Sequence, residues 1–271
     1  EKKGFIKDML TPSYRSISAV SNISFSINKG EIIGFIGPNG AGKTTTIKML
    51  CGILWPTSGN VVIDGLVPWE QRKKHVAKIG AVFGQRKSFW PELSVKENLQ
   101  LIAAIYKAPE SRIDAVKFDL KLDSFFDQPF RKLSLGQQMK AELAGAIIHQ
   151  PSILFLDEPT IGMDIVAKSE FMELLKKVNE KAKTTILLTS HDLHEIELLC
   201  KRIIIVNQKI LYDGLLEKIR PSKVQVTLTK GSSQKSMVIE KSQVKSMLDK
   251  DYDDIKIEEI PIEEIIREYY K

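Results

Sequence analysis

The chain has 271 residues and a formal net charge of +6; 43% of its residues are hydrophobic and 27% are charged. This length predicts one large α/β domain with a small appendage, and this composition excludes a wholly disordered chain. The excess of positive charge is modest and scattered. The sequence therefore lacks the dense basic stripe of a dedicated nucleic-acid binder, and no nucleic-acid partner is expected.

Paired strands are predicted between residues 20 and 36. Three apolar residues of the first strand alternate with polar ones, namely Ile23, Phe25 and Ile27. Asn28-Lys29-Gly30 supplies a turn, and the next run, Ile32–Ile36, is almost continuously apolar, which is typical of a central strand buried on both faces. This strand leads directly into a glycine-rich loop and a helical pattern that begins at Lys43.

A helical section is predicted over roughly residues 93 to 150, because Leu, Ile and Ala recur there at helical spacing. Two more apolar strands follow at Ile153–Leu156 and Ile186–Leu188, and a hairpin is predicted around Asn207-Gln208-Lys209. Pro221-Ser222 marks a boundary. Beyond it the sequence predicts two strands and a charged final helix, near Val224–Leu228, Val238-Ile239 and Glu263–Tyr270.

The loop after the first buried strand matches the pattern G-x-x-x-x-G-K-[ST] with the residues Gly37, Pro38, Asn39, Gly40, Ala41, Gly42, Lys43, Thr44 and Thr45. Glycines let successive backbone N–H groups converge on phosphate oxygens, which a Cβ would obstruct. The helix adds its positive N-terminal end, Lys43 adds a point charge, and the Thr44 hydroxyl can ligate Mg²⁺. A chance glycine-rich turn is the alternative, but the strand–loop–helix setting favours nucleotide binding.

Two acids, Asp157 and Glu158, follow the predicted strand Ile153–Leu156. An acid at the carboxyl end of a central parallel strand is expected beside the phosphate loop, where ligands collect. Asp157 would hold Mg²⁺ directly or through water, and Glu158 would polarise the water that attacks the γ-phosphorus. A solvent-exposed Asp-Glu pair at a strand end is a common alternative.

The segment Leu133–Gln137, LSLGQ, resembles the ABC signature LSGGQ, and it precedes the acidic strand end by some twenty residues. Ser134 and Gln137 also fit an S-x-x-Q capping box that opens an apolar helix. Such a helix start presents a hydroxyl and the N–H groups of glycines such as Gly136 to an anion. The third signature residue is Leu135 instead of Gly, a departure that leaves Ser134 and Gly136 in place.

The resemblance to ABC transporter ATP-binding subunits covers about residues 12 to 220 and implies roles for further residues. It implies that Gln85 contacts Mg²⁺ and the attacking water, that Asp164 belongs to the D-loop, and that His191 reaches the γ-phosphate. A lone His after a strand is more often structural, so His191 depends on its place in this series. Tyr14 lies where the family keeps its adenine-stacking aromatic residue, and it could equally be a surface tyrosine.

The resemblance also implies an architecture and an assembly. The expected fold is an α/β P-loop NTPase core, RecA-like with a mostly parallel sheet, joined by an antiparallel β subdomain, a helical signature subdomain and a small α+β C-terminal appendage. The ATPase domain would span residues 1–220, with its helical subdomain at about 86–150, and the appendage would span 221–271. In this family the signature of one protomer completes the ATP site of the other. A homodimer is therefore expected, with ATP and Mg²⁺ as cofactors.

A transmembrane permease on a separate chain is the partner that the resemblance implies. The sequence has no run of the roughly 18 to 20 apolar residues that span a bilayer, and residues 1–10 are too polar for a secretory signal. Cys51 and Cys200 lie in apolar stretches without a CxxC or CxxH neighbour, which favours a reducing compartment. We therefore expect a cytoplasmic protein held on the inner face of the cell membrane by its permease.

The short helical section, the segment 65–85 and the tail around 255–264 resemble the ABC-2 type exporter branch. An exporter is therefore expected; the alternatives are an ABC mechanotransmitter and a soluble ABC ATPase that acts on a macromolecular partner. Phe89 and Trp90 follow Gln85, where the family receives the coupling helix of the permease. They predict either a socket for that helix or core anchors of the helical subdomain. The tail would serve as a dimer contact, a regulator or a stabilising lid.

Overall fold

A six-stranded sheet forms the centre of the protein. The computed structural model describes residues 18–190, 192–219, 223–230, 233–244, 252–260 and 262–270. The strands of the central sheet are β1 Ile32–Ile36, β2 Ile79–Phe83, β3 Ile153–Asp157, β4 Thr185–Thr189, β5 Arg202–Asn207 and β6 Lys209–Leu215. Their order across the sheet is β2-β3-β4-β1-β5-β6. The first five strands pair in parallel, and β6 pairs antiparallel with β5 as the predicted hairpin.

Eight helices accompany the strands in the described ranges: α1 Lys43–Leu50, α2 Arg72–Val76, α3 Val95–Tyr106, α4 Ser111–Asp119, α5 Leu135–Ile147, α6 Ile165–Ala182, α7 Leu193–Leu199 and α8 Ile262–Tyr269. Short 3₁₀ turns lie at Asp123–Phe125, Phe130–Lys132, Leu216–Ile219 and Lys241–Gln243. The predicted helical section therefore contains α3, α4 and α5. Among the described residues, no helix combines the length and the apolar character needed to cross a bilayer.

Strands β1 to β5 are almost continuously apolar and are buried on both faces of the sheet, whereas the edge strand β6 is partly exposed along its length. One face packs against α1 and the extended segment before β1, and its core includes Ile33, Phe35, Ile47, Phe155, Leu187 and Ile204. The opposite face packs against α5, α6 and α7, and its core includes Ile36, Leu154, Leu156, Leu143, Phe171, Leu175 and Ile196. Successive residues of β1 to β5 alternate between these two cores, which fixes the register of those strands.

The predicted strand before β1 is wrong. Residues 20–28 keep the alternating exposure that suggested a strand, and Phe25 and Ile27 pack on the α1 face of the sheet, but no ladder forms. Strand β1 instead lies between β4 and β5. Within residues 18–78 of the described chain, antiparallel pairing is limited to the isolated bridge between Ile63 and Leu66.

A second, antiparallel sheet forms the C-terminal part. Its strands are β7 Lys223–Lys230, β8 Ser233–Glu240 and β9 Asp254–Glu259, in the order β8-β7-β9. The last helix, α8, returns to the main core, where Ile262 and Ile266 are 5% and 2% exposed. Tyr269 also meets Tyr212 of β6 edge to face at 5.8 Å. The predicted strands and helix of the appendage are confirmed, whereas Pro221-Ser222 lies outside the described residues.

Candidate nucleotide site

The glycine-rich loop lies between β1 and α1 and fits closely against its surroundings. A Cβ at Gly37 would collide with the Val206 carbonyl oxygen. Gly42 has a φ of 94°, in the left-handed region that favours glycine, and a Cβ there would lie 2.6 Å from the Ala19 oxygen. The β5–β6 hairpin fixes the loop from outside, because the Gln208 N–H donates to the Ala41 oxygen at 3.0 Å.

The same loop leaves the N-terminus of α1 suited to an anion. Gly42 is the N-cap residue and has no side chain to bond the first amides, and the first turn of α1 contains no acidic residue. The first N–H groups of a helix lack intrahelical acceptors, and the helix dipole favours negative charge there. Space is open beside Gly40, where an added Cβ would meet nothing within 4 Å. This arrangement fits the phosphates of a nucleotide.

Lys43 is the buried cation of this site. Its side chain is 5% exposed, and its Nζ donates to the carbonyl oxygens of Gly37 at 2.7 Å and Pro38 at 3.2 Å. Burial lowers the pKa of Lys43, although the carboxylates of Glu158 and Asp157 oppose that shift. The Lys43 Nζ lies 3.8 Å from Glu158 Oε1, so the phosphate loop and the acidic strand end meet in one chain.

The two acids are held by Thr189, at the end of the neighbouring strand β4. Thr189 is fully buried, and its hydroxyl donates to Asp157 Oδ1 at 2.8 Å. The Thr189 hydroxyl oxygen also accepts the backbone N–H of Glu158 at 2.9 Å. Glu158 has a φ of 52°, a left-handed conformation that costs a non-glycine residue about 1–2 kcal/mol. The hydrogen bonds of its N–H to Thr189 hold the backbone in this conformation.

Gln85 follows Gly84, which packs directly on the acidic strand end. The Gly84 N–H donates to the backbone carbonyl oxygen of Asp157 at 2.8 Å, and a Cβ at Gly84 would collide with the Glu158 carbonyl oxygen. Gln85 itself is exposed in a turn that closes with a bond of 2.9 Å from the Arg86 N–H to the Phe83 oxygen. The structure therefore brings Gln85 to the edge of the sheet where Asp157 and Glu158 end.

The predicted signature residues open helix α5 as a capping box. Gln137 donates its N–H to Ser134 Oγ at 3.3 Å, and its side-chain oxygen accepts the Ser134 N–H at 3.0 Å. Ser134 is exposed. Gly136 is half-buried, and a Cβ added to it would lie 3.0 Å from the Ala167 Cβ of α6. The signature residues therefore lie beside the start of α6. The contacts of Lys43 are elsewhere, with Gly37 and Pro38 of its own loop and with Glu158.

Asp164 caps helix α6, because its carboxylate accepts the Ala167 N–H at 2.9 Å. The turn before it contains Gly162, where an added Cβ would lie 3.0 Å from Leu135 of the signature. Three large apolar side chains around this turn are exposed, Ile161, Ile165 and Val166 at 45%, 86% and 68%. The Asp164 turn thus packs on Leu135 of the signature and carries exposed apolar side chains.

Two predicted site residues, Tyr14 and His191, lie outside the described residues. Sequence reasoning in turn missed Thr189, which holds both acids. The signal for it was present, because Thr189 and Ser190 are polar residues at the end of a strand that is otherwise continuously apolar.

Residues 20–161 match the family described as ABC transporter. The chain belongs to the ABC transporter family. Its match extends from the segment before β1 to the turn after Glu158, so it contains the phosphate loop, Gln85, the signature and both acids. The chain is accordingly an ATP-binding protein with the activity of an ABC ATPase, and the predicted P-loop NTPase fold is confirmed.

Individual relatives agree with this family. The ABC transporter ATP-binding protein NatA of Bacillus subtilis (strain 168) is 33% identical over 211 residues, which are 76% of this chain and 85% of NatA. The bacitracin transport ATP-binding protein BcrA of Bacillus licheniformis is 36% identical over 214 residues, 78% of this chain and 67% of BcrA. The dimeric post-hydrolysis structure of the ATP-binding cassette MJ0796, bound to ADP and Pi, is 28% identical with a TM-score of 0.66. The match covers 75% of this chain and 94% of the MJ0796 chain.

Replacing Lys43 with Ala should weaken ATP binding by at least about tenfold, because a buried cation that bonds a charged group contributes about 1.5–3 kcal/mol. Isothermal titration with ATP and Mg²⁺ measures this affinity. Lys48→Ala removes a cation from the last turn of the same helix and should keep the wild-type value. Equal ATP affinity of Lys43→Ala and the wild type would contradict the role of this loop as a phosphate cradle.

Proposed function

We propose that this chain is the ATP-hydrolysing subunit of an ABC-2 type exporter, and that it works as a homodimer on a separate transmembrane permease. The observation that carries the proposal is the meeting of Lys43 with Glu158 at 3.8 Å while the signature adjoins the Asp164 turn. One chain thus supplies the phosphate loop together with the two acids. It also supplies, at a separate place, the start of α5, whose N–H groups suit a second anion. The transport function in the name of BcrA supports a transporter subunit, and the exporter branch rests on the resemblance of the segment 65–85 and of the tail around 255–264.

In the proposed reaction, Glu158 accepts a proton from the water that attacks the γ-phosphorus in line. Lys43 and the amides of the loop from Gly37 to Thr45 hold the β- and γ-phosphates and stabilise the charge that develops on them. Gln85 would orient the attacking water, since it follows the residue that packs on Glu158. His191 would contact the γ-phosphate, and Tyr14 would stack on the adenine ring.

The donor set near Asp157 fits a Mg²⁺ ion that is shared with phosphate oxygens. Mg²⁺ usually keeps several waters and takes one or two protein oxygens together with substrate phosphates. Within the described residues, no three His, Cys, Asp or Glu side chains cluster as a metal site, so the protein alone does not offer a closed cage. Asp157, Thr44 and Gln85 would contribute the protein oxygens. The ion would neutralise charge on the phosphates.

Dimerisation would complete each site. Ser134, Gly136 and Gln137 of one protomer would present a hydroxyl and helix N-terminal amides to the γ-phosphate bound by the other protomer. Asp164 shapes the adjoining turn, and the exposed apolar side chains at that turn would be covered by the partner protomer. A bound ATP would then hold the two protomers together, and hydrolysis would release them.

The same proposal divides the chain into an ATPase domain at 1–220, with a helical subdomain at about 86–150, and an appendage at 221–271. The contacts of α8 with the main core support a stabilising role for the appendage, since Ile262 and Ile266 are buried there. The protein would lie in the cytoplasm on the inner face of the membrane, because its permease partner would hold it there.

Phe89 and Trp90 have opposite environments, which separates the two roles expected for them. Phe89 is 3% exposed and packs against Phe130, with ring centroids 5.2 Å apart, so it is a core anchor. Trp90 is 64% exposed. Asn98 fixes its backbone, accepting the Trp90 N–H at 2.7 Å and donating to its oxygen at 3.1 Å. A large aromatic ring on a rigid backbone suits the docking of a partner helix.

Helix α5 also holds this segment. The buried Glu142 carboxylate accepts the N–H groups of Ser88 at 2.8 Å and Phe89 at 3.2 Å, and it accepts the Ser88 hydroxyl. Glu142 lies on the same helix, about one and a half turns after Gln137, the last residue of the signature. The surface around Trp90 and the signature would therefore move together when the dimer closes, which supports coupling of ATP binding to the permease.

Glu158→Gln should bind ATP normally, lose turnover by at least about a hundredfold and accumulate an ATP-bound dimer, because the amide cannot accept a proton from water. Steady-state phosphate release and size-exclusion chromatography with ATP measure these effects. Glu173→Gln, at an exposed position of α6, is the control. Turnover near the wild-type rate in Glu158→Gln would show that Glu158 is not the base.

Trp90→Ala should keep the basal ATPase rate and lose its membrane partner, because the ring is exposed and the backbone of Trp90 is held by Asn98 and not by the ring. Purification of a tagged chain from native membranes in mild detergent measures the recovery of a multi-spanning partner. Phe118→Ala removes an aromatic ring that is 81% exposed on α4 and should retain the partner. Recovery of the wild-type chain with ribosomes or nucleic acid instead of a membrane protein would contradict the exporter.

A further inference from the structure

Glu195 is a buried carboxylate of α7 that none of the roles above uses. It is 2% exposed, and its Oε2 accepts the hydroxyls of Thr160 and Ser190, each at 2.7 Å. Its Oε1 lies 3.1 Å from the ammonium of Lys168, which also bonds Asp192 Oδ2 at 2.8 Å. A buried charge requires such partners, and removing one of them is costly. Thr160, Ser190 and Lys168, the three groups on the Glu195 carboxylate, are therefore held tightly in place.

The first hydroxyl belongs to the segment that leaves β3. Thr160 lies two residues after Glu158 and directly precedes the turn to Asp164. Thr160 is 3% exposed, so its hydroxyl has exchanged water for the Glu195 carboxylate. The position of Thr160 limits how far the backbone on either side of it can shift.

The second hydroxyl belongs to the segment that leaves β4. Ser190 directly follows Thr189, the residue that bonds both acids of the site. The Ser190 oxygen also accepts the Asp192 N–H at 2.9 Å. Ser190 and Asp192 flank His191 in the sequence, so the bonds of Glu195 and Lys168 hold the residues on either side of that histidine.

Glu195 itself is fixed to the centre of the sheet. Its neighbour Ile196 is fully buried, and a Cβ at Gly34 of β1 would lie 2.9 Å from the Ile196 Cγ2 atom. Helix α7 therefore lies directly on the strand that leads to the phosphate loop. Asp192 caps the helix, because its Oδ1 accepts the His194 N–H at 3.1 Å.

We propose that Glu195 is a positioning residue for ATP hydrolysis. By holding Thr160 and Ser190 on one oxygen, it sets the segments after β3 and β4 against each other and against β1. The proposal rests on the hydrolytic role proposed for Glu158. The carboxylate of Glu195 bonds Thr160 and Ser190, which lie next to the acids, so its loss should affect turnover more than ATP binding. Small misplacements of a reacting group cost large factors in rate.

Three variants test this inference. Thr160→Val keeps the shape of the side chain and removes its hydroxyl, whereas Thr160→Ser keeps the hydroxyl. Glu195→Gln removes the charge and can place an amide N–H₂ against the Thr160 and Ser190 hydroxyls, which donate to the carboxylate in the wild type. We expect kcat for ATP hydrolysis to fall by roughly tenfold to a hundredfold in Thr160→Val and Glu195→Gln, with KM for ATP changed by less than about threefold. Thr160→Ser should retain at least about half of the wild-type kcat.

Thr227→Val is the matched control. Thr227 is 6% exposed, and its hydroxyl bonds Ser236 at 2.8 Å in the C-terminal sheet. The control removes a buried hydroxyl of the same kind without touching the nucleotide site, so kcat should stay at the wild-type value. The thermal midpoint Tm of each variant is measured alongside to report its stability.

Wild-type kcat in folded Thr160→Val and Glu195→Gln would overturn the inference. A loss of kcat that Thr227→Val shares at the same Tm would also overturn it, because that pattern reflects general destabilisation. Glu158→Gln in the same assay separates the two proposals. If Glu158→Gln turned over ATP at the wild-type rate, the proposed catalytic base would fail. If Glu158→Gln were inactive and Thr160→Val fully active, only the role of Glu195 would fail.

Discussion

The parallel pairing of β1, β4 and β3 is the constraint on which the site depends. Because the carboxyl ends of parallel strands meet at one edge of the sheet, the loop after β1 and the acids after β3 arrive side by side, separated by β4. Thr189 ends β4 between them and bonds both acids through one buried hydroxyl. Lys43 then meets Glu158 at 3.8 Å. A register shift of one residue in β4 would turn Thr189 to the other face and break this arrangement.

Two buried carboxylates connect the elements around the sheet to one another. Glu195 joins the segments after β3 and β4, and Glu142 joins the signature helix to the segment that carries Trp90. Each is a carboxylate removed from water, which is stable only when its partners stay in place. If Trp90 docks the permease as proposed, these carboxylates would couple the nucleotide site to that surface, since the helices between them cannot move independently without leaving a buried carboxylate without its partners.

Much of this arrangement could be predicted from the sequence, because motifs with fixed spacing and continuous apolar strands have few alternatives. The phosphate loop, the acidic strand end and the capping box at Ser134 are all local patterns, and the structure has each of them in its expected element. The strand predicted before β1 was wrong, since the alternation of Phe25 and Ile27 reports burial against the sheet and not a ladder. Glu142 and Glu195 were missed because their partners are 54 and 35 residues away in the chain.

The central claim is that one protomer completes the ATP site of another, and mixing two inactive variants tests it most directly. Lys43→Ala spoils the phosphate loop, and Ser134→Glu places a negative charge at the signature. Each alone should be inactive, whereas a one-to-one mixture should regain up to about a quarter of wild-type turnover, because half of the dimers contain one intact composite site. No recovery on mixing, with both variants folded, or full activity of Ser134→Glu alone, would contradict the account.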